Sequence, residues 1–221
     1  FHYFGVVEAE GINLGDLKDQ EIDELTRRLS THSRVDYIIQ QINLYGFAGK
    51  KLKALGFCAS VEHAKFMAEE FTKRGIPSAF LSGQDEVISR IETIHRIEDE
   101  SDPLQVIFTR DVFNEGIDIP SLNMVLMLRP TNSPIIFIQQ LGRGLRRISN
   151  KDFVTVIDFI GNYRKSFMLA IALKGQRFYD KESLIVSVRQ GFKEIPGDSF
   201  VYMDEIARDE IVRQLSGENF Q

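Results

Sequence analysis

Cysteine is almost absent. Cys58 stands alone among 221 residues, so no intrachain disulfide can form, and the chain fits a reducing compartment. Its setting, Leu55-Gly56-Phe57-Cys58-Ala59, is apolar, which suits a buried structural thiol rather than a nucleophile. The four histidines, His2, His32, His63 and His95, are widely spaced and make no metal-ligand pattern, so no metal site is expected. Long apolar runs are also missing: those present are of strand length, such as Met124 to Leu128, and none could span a bilayer. The first ten residues lack the basic start and apolar core of a secretory signal, so a cytoplasmic location is expected. A chain that opens on Phe1 rather than Met is expected to be a piece of a longer polypeptide. Basic charge is in deficit, with 27 Lys and Arg against 32 Asp and Glu and a net charge of −5, so bulk electrostatics do not recruit a polyanion. A Gly-x-x-x-x-Gly-Lys-Ser/Thr loop is lacking too; the nearest fragment is Gly46-Phe47-Ala48-Gly49-Lys50-Lys51.

What is present is an ordinary globular composition, 43% hydrophobic and 27% charged, with room for one α/β domain plus an extension or for two small domains. The charge is unevenly spread. Residues 84–102 carry seven acids against Arg90 and Arg96, as a solvated face does, whereas residues 139–151 hold Arg143, Arg146, Arg147 and Lys151 with no acid among them.

Short apolar runs alternate with helical patterns through the middle of the chain. Strands are predicted at 53–59, 77–81, 105–109, 124–128 and 153–158, with helices over about 60–74, where Ser60 is a candidate cap, and 86–98. A further helix is predicted to open at Ser133-Pro134. Strands apolar on both faces and separated by helices imply a parallel sheet covered on two sides, and five such units fit an open doubly wound α/β fold. Residues 1–50 read as a lead-in, with an entry strand near Tyr3 to Val7 and one or two helices over 16–48. The core then covers 51–174. Residues 175–221 read as a small α/β extension, with a strand over 199–203 and a helix over 204–215. Ligands of open parallel sheets gather at the carboxyl ends of the strands. Those ends carry Ser60, Ser82-Gly83, Thr109-Arg110, Arg129-Pro130-Thr131 and Asp158, a polar set that ordinary loop chemistry also explains.

Two stretches carry chemistry. In Gln139-Gln140-Leu141-Gly142-Arg143-Gly144-Leu145-Arg146, a helical wheel places Gln139, Arg143 and Arg146 within about 60° of one another, opposite Phe137, Ile138, Leu141 and Leu145. Arginine suits phosphate because its planar fork binds in two places and keeps its charge. A basic helix end complementing the dipole is the plainer reading, but two glycines inside the helix, each costing about 1 kcal/mol against Ala, argue against stability as the reason. The second stretch, Thr109-Arg110-Asp111-Val112-Phe113-Asn114-Glu115-Gly116-Ile117-Asp118-Ile119-Pro120, follows a strand. There Gly116 permits close backbone approach and Asp118 could accept from a sugar hydroxyl. Taken alone, a glycine turn with a capping Asp would explain it.

Taken together, the two stretches resemble motifs V and VI of the superfamily 2 helicases: Glu-Gly-Ile-Asp-Ile-Pro at 115–120 and Gln-x-x-Gly-Arg-x-x-Arg at 139–146 stand in the family's order and spacing. Leu55 to Ala64 resembles motif IV, and Phe80-Leu81-Ser82-Gly83 resembles the nucleic-acid contact that follows it. Phe-Asn-Glu-Gly-Ile-Asp-Ile-Pro and Leu-Arg-Pro-Thr-x-Ser lie nearest to bacterial DNA helicases related to restriction-enzyme motor subunits. The resemblance covers roughly residues 52–173. It implies a RecA-like C-terminal motor lobe in which Arg143 and Arg146 are arginine fingers toward the γ-phosphate and Gln139 couples them to the other lobe. It also implies nucleotide contacts from Gly116 and Asp118, and a nucleic-acid track along Ser60, Ser82, Gly83 and Thr109. Arg110 stands where many relatives have Thr; a basic residue there still suits phosphate, while the hydroxyl role does not carry over.

Without a phosphate loop and a metal-binding carboxylate motif, the chain alone cannot cradle the β- and γ-phosphates or hold Mg²⁺. The resemblance therefore implies an N-terminal RecA-like lobe of the same polypeptide as partner, which cradles the β- and γ-phosphates of ATP and holds Mg²⁺. It also implies single-stranded or duplex nucleic acid as the other partner, with DNA favoured over RNA and the choice left open. The isolated chain is expected to be inactive. The alternative is a non-catalytic RecA-like binding or regulatory module, against which the paired arginines count. A dinucleotide oxidoreductase is disfavoured because Gly142-Arg143-Gly144, its one Gly-x-Gly candidate, lies within a helix rather than after a strand.

Overall fold

The computed structural model describes residues 1–14, 21–110, 119–130, 152–160, 170–171, 173, 180–193 and 199–217. Among the described residues seven strands form one sheet: β1 (His2–Val7), β2 (Ala54–Phe57), β3 (Ser78–Leu81), β4 (Val106–Thr109), β5 (Met124–Met127), β6 (Thr155–Ile160) and β7 (Phe200–Met203). Their spatial order is β3-β4-β2-β5-β6-β1-β7, and every pairing is parallel. The helices described from end to end are α1 (Ile22–Leu29), α2 (His32–Tyr45), α3 (Val61–Lys73), α4 (Val87–Glu98), α5 (Lys181–Gln190) and α6 (Glu205–Gly217). No helix among the described residues is long and apolar enough to cross a membrane.

The central strands are buried on both faces, so their residues feed two cores by turns. Leu55, Phe57, Ile107, Val125 and Met127 join the core that also holds Ile94 and Ile97 of α4, Leu184 and Val188 of α5 and Ala207, Ile211 and Leu215 of α6. Ala54, Val106, Phe108, Met124 and Leu126 join the opposite core with Val35, Ile38 and Ile42 of α2 and Met67 and Phe71 of α3. The fold is thus the doubly wound parallel α/β class expected from the sequence. Gly56 has a packing reason: a Cβ there would lie 2.5 Å from Cδ1 of Phe108, whose ring crosses β2.

The sheet exceeds the predicted five strands by two. β1 pairs with β6 in the register Tyr3↔Val156 and Gly5↔Asp158, and β7 pairs with β1 in the register His2↔Phe200 and Gly5↔Met203. Lead-in and extension therefore each give a strand to the main sheet. Asp204 fastens the join, accepting from the backbone N–H of Val7 and capping α6 through Ala207 N–H at 2.7 Å.

Candidate nucleic-acid and nucleotide interface

Strand order decides which candidate residues meet. β3, β4 and β2 are adjacent, so Ser82-Gly83, Thr109-Arg110 and Ser60 follow three neighbouring strands at one carboxyl edge. β4 and β5 flank β2, which makes its carboxyl end a topological switch point. The ladder continues past the strands there: Cys58 N–H donates to Thr109 O at 2.7 Å and Leu128 N–H to Phe57 O at 3.0 Å. Gly116, Asp118, Gln139, Arg143 and Arg146 lie outside the described residues.

Ser60 is the N-cap of α3, its hydroxyl accepting from His63 N–H at 3.0 Å and from Thr26 Oγ1 of α1 at 2.9 Å. Glu62, two residues on, has its carboxyl held below the usual range by its own backbone N–H, then by the Ser60 hydroxyl, with the charge of Arg110 adding to the effect. The Ser60 hydroxyl is therefore occupied inside the protein, and the residue is buried. Thr109 is fully buried as well, while Arg110 is half-buried. Of the five described candidates, Ser60 and Thr109 shape the edge from within.

The turn after β3 faces outward. Ser82, itself buried, holds it by accepting from Gln84 N–H at 3.2 Å and donating its own N–H to Asp85 Oδ2 at 2.5 Å. Arg90, one turn into α4, draws the carbonyls inward, donating to Gly83 O at 3.0 Å and to Asp85 O at 2.7 and 2.9 Å. Gly83 is exposed, and a Cβ on it would meet nothing within 4 Å, so neither crowding nor backbone conformation within the chain requires glycine there. Cys58 is buried, and desolvation pushes its thiol up to about 12, which makes it unreactive.

Beneath the edge lies a charged cluster that motif reading does not reveal. The Arg34 guanidinium, fully buried, bonds both oxygens of Glu8, Nε to Oε1 at 2.9 Å and Nη2 to Oε2 at 2.8 Å. Nη2 also donates to Leu128 O at 3.1 Å, and Nη1 lies 3.4 Å from Nε2 of His63. Nδ1 of that ring lies 3.2 Å from Ala59 N–H. Burial, then the charge of Arg34, lowers the His63 pKa well below its ordinary value, so the ring is neutral. A neutral imidazole has one acceptor nitrogen and serves one of these two donors at a time. A sequence signal did exist: Arg34 and Gln41 fall on the buried stripe of α2 with Ile38 and Ile42.

Comparison with known proteins agrees with this architecture. Residues 33–147 match the family described as helicase conserved C-terminal domain. A Saccharomyces cerevisiae protein, IRC3, provisionally assigned as an ATP-dependent helicase, is 29% identical over 214 residues, 95% of this chain and 30% of its own length. The chain thus spans under a third of that relative. Among solved structures, S. cerevisiae Dbp5 bound to RNA and ADP BeF3 matches with a TM-score of 0.55 at 18% identity, over 97% of this chain and 44% of that one. A fragment assigned to the HsdR subunit of a Vibrio vulnificus type I restriction enzyme matches with a TM-score of 0.56 at 20% identity, over 72% of this chain and 31% of that one. At these identities the two structures bear on the fold alone.

Proposed function

The chain belongs to the helicase conserved C-terminal domain family, and from that premise we propose that it is the second motor lobe of an ATP-dependent superfamily 2 helicase or translocase. The observation that carries the reading is positional. The turn Ser82–Asp85 and Arg110 follow β3 and β4, two neighbouring strands on one side of β2, at one edge of the sheet. The sequence stretches 109–120 and 129–146 leave β4 and β5 at that same edge.

In this reading the exposed backbone at Gly83 approaches a strand phosphate, and Arg110 adds charge beside it. Ser60 and Thr109 fix the backbone that presents these groups. Gly116 and Asp118 hold nucleotide, Asp118 through the ribose. Arg143 and Arg146 reach the γ-phosphate across the cleft between lobes, where fixed positive charge stabilises phosphoryl transfer, and Gln139 links them to the first lobe. The sequence carries no phosphate loop and no metal-binding carboxylate motif, so Mg²⁺ and the β- and γ-phosphates are assigned to the first lobe. The tracked strand is assigned as DNA, on the sequence likeness to restriction-enzyme motor subunits.

The test is ATP hydrolysis by the full-length polypeptide with and without single-stranded DNA or RNA. Stimulation by DNA above RNA is expected, with further loss on Gly116→Val or Asp118→Ala. A full-length protein whose ATP turnover is indifferent to any nucleic acid would remove the motor reading.

A further inference from the structure

We propose that Arg34 is a positioning residue for the motor edge. It fixes the carboxyl end of β5, and hence the start of the chain that runs into residues 131–150, against the end of β1 and the β2–α3 turn. The proposal rests on the motor reading for its functional consequence, while its structural part stands on the described residues alone.

One guanidinium meets three elements. Glu8 follows β1, Leu128 follows β5, and His63 sits in the first turn of α3 beside Ala59 and Ser60. Arg34 itself belongs to α2, whose N-cap Thr31 fixes it by accepting from Arg34 N–H at 3.3 Å. Its guanidinium also lies 5.7 Å from the ring centre of Phe159 on β6. The Leu128 carbonyl that it binds precedes Arg129-Pro130, and the peptide plane ties that oxygen to the Arg129 nitrogen, so holding one orients the other.

Stability alone is a weak reason for such a cluster. Removing two charges from water costs most of what their attraction returns, and well-packed apolar residues often serve as well or better. What an apolar pair cannot do is choose a single carbonyl direction at Leu128. Planar, forked and always charged, arginine can bond Glu8 twice and still reach that oxygen; lysine, a point charge, cannot keep all three.

The experiment uses the full-length protein with Arg34→Lys, the apolar double variant Glu8→Leu with Arg34→Met, Glu8→Gln as a milder change, and Arg143→Ala as reference. Two readouts decide. Amide exchange at Leu128 and Arg129 is expected to rise in Arg34→Lys and in the double variant while that of Ile107 and Phe108 on β4 stays parental. ATPase kcat per folded molecule is expected to fall tenfold or more, roughly 10²-fold being the scale for a 1 Å misplacement, with KM for ATP within about threefold. A merely structural role would lower Tm and the folded fraction yet leave kcat per folded molecule unchanged. If the apolar double variant does not fold, Arg34→Lys and Glu8→Gln carry the same two readouts. Parental exchange at Leu128 and Arg129 in folded Arg34→Lys overturns the proposal, and so does parental kcat. If Arg143→Ala turns over ATP at the parental rate, the arginine-finger reading falls separately, and the exchange result then decides the positioning role of Arg34 by itself.

Discussion

The phenol of Tyr3 donates a 2.7 Å hydrogen bond to Oδ2 of Asp158 across the seam between β1 and β6. Desolvation pushes the Asp158 carboxyl up to about 7; the bond from Tyr3 restrains the rise and the charge of Glu8 adds to it. The folded-state value thus exceeds the unfolded value of about 3.9, so folding favours the protonated acid. Its contribution to stability is complete below about pH 4 and is lost as pH rises through about 7. Asp158→Asn should therefore gain on the parent by about 1–3 kcal/mol between pH 5 and pH 8, read by urea unfolding at both. His63 works with the opposite sign: its depressed value stabilises above about pH 6.5 and is lost on acidification. A difference between Asp158→Asn and parent that is equal at both pH values would refute the assignment.

The C-terminal residues are predicted to be structurally required. β7 bonds to β1, and Ala207, Ile211 and Leu215 of α6 lie in the core with Tyr3 and Val156. Ile211→Ala should cost about 2–5 kcal/mol by loss of contacts and a residual cavity, whereas exposed Ile206→Ala should stay within about 0.5 kcal/mol. Cutting before residue 180 should give a chain with lost near-ultraviolet dichroism and a broadened melt. A truncated chain with parental Tm would mean that β7 and α6 merely decorate the sheet.

The strands β2 to β6 were legible because each is a short run rich in apolar residues, and for β2, β3 and β4 the helices α3 and α4 between them carry their own periodic pattern. The places of β1 and β7 were not legible. Periodicity marks Tyr3 to Val7 as a strand but carries no address, and its partner Thr155–Ile160 lies some 150 residues on. The motifs at 109–120 and 139–146 gave the family resemblance through their order and spacing, and the nucleotide and phosphate roles of their residues are what that resemblance implies. The Arg34–Glu8 pair was legible only in part: helical spacing puts Arg34 on the buried stripe of α2, but two charges separated by 26 residues give no sign that they pair until the fold brings them together.

Gly83 separates a packing role from a contact role. Added atoms meet nothing in the chain, so Gly83→Glu should leave stability within about 0.5 kcal/mol. If a phosphate approaches this turn, the same change places a carboxylate against it and should weaken single-strand binding by the full-length protein about tenfold, a loss of roughly 1.4 kcal/mol. Fluorescence anisotropy across a salt series checks it, since phosphate contacts release counterions and make affinity fall with salt. Unaltered affinity in Gly83→Glu would place the track elsewhere.

Arg143 and Arg146 are predicted to stabilise the charge that develops in phosphoryl transfer. On a helix they share one face, two forked cations one turn apart, and the ordered set of motifs supplies the γ-phosphate as their target. Arginine fingers contribute about 10³–10⁵ in rate in GTPase systems, or roughly 4–7 kcal/mol at the transition state. Ala at either position in the full-length protein should therefore cut kcat heavily while changing ground-state nucleotide affinity much less. Lys should rescue poorly, because it keeps the charge and loses the fork. Lys151→Ala, which removes a charge from the same basic cluster, should be near neutral and controls for charge loss. The two Ala lesions should be less than additive if both arginines serve one transition state. Steady-state ATPase assays in saturating single-stranded nucleic acid, with folding checked by thermal melts, read all of these. Folded Ala variants that hydrolyse ATP at the parental rate would return residues 139–146 to the plainer reading, a basic helix end facing solvent.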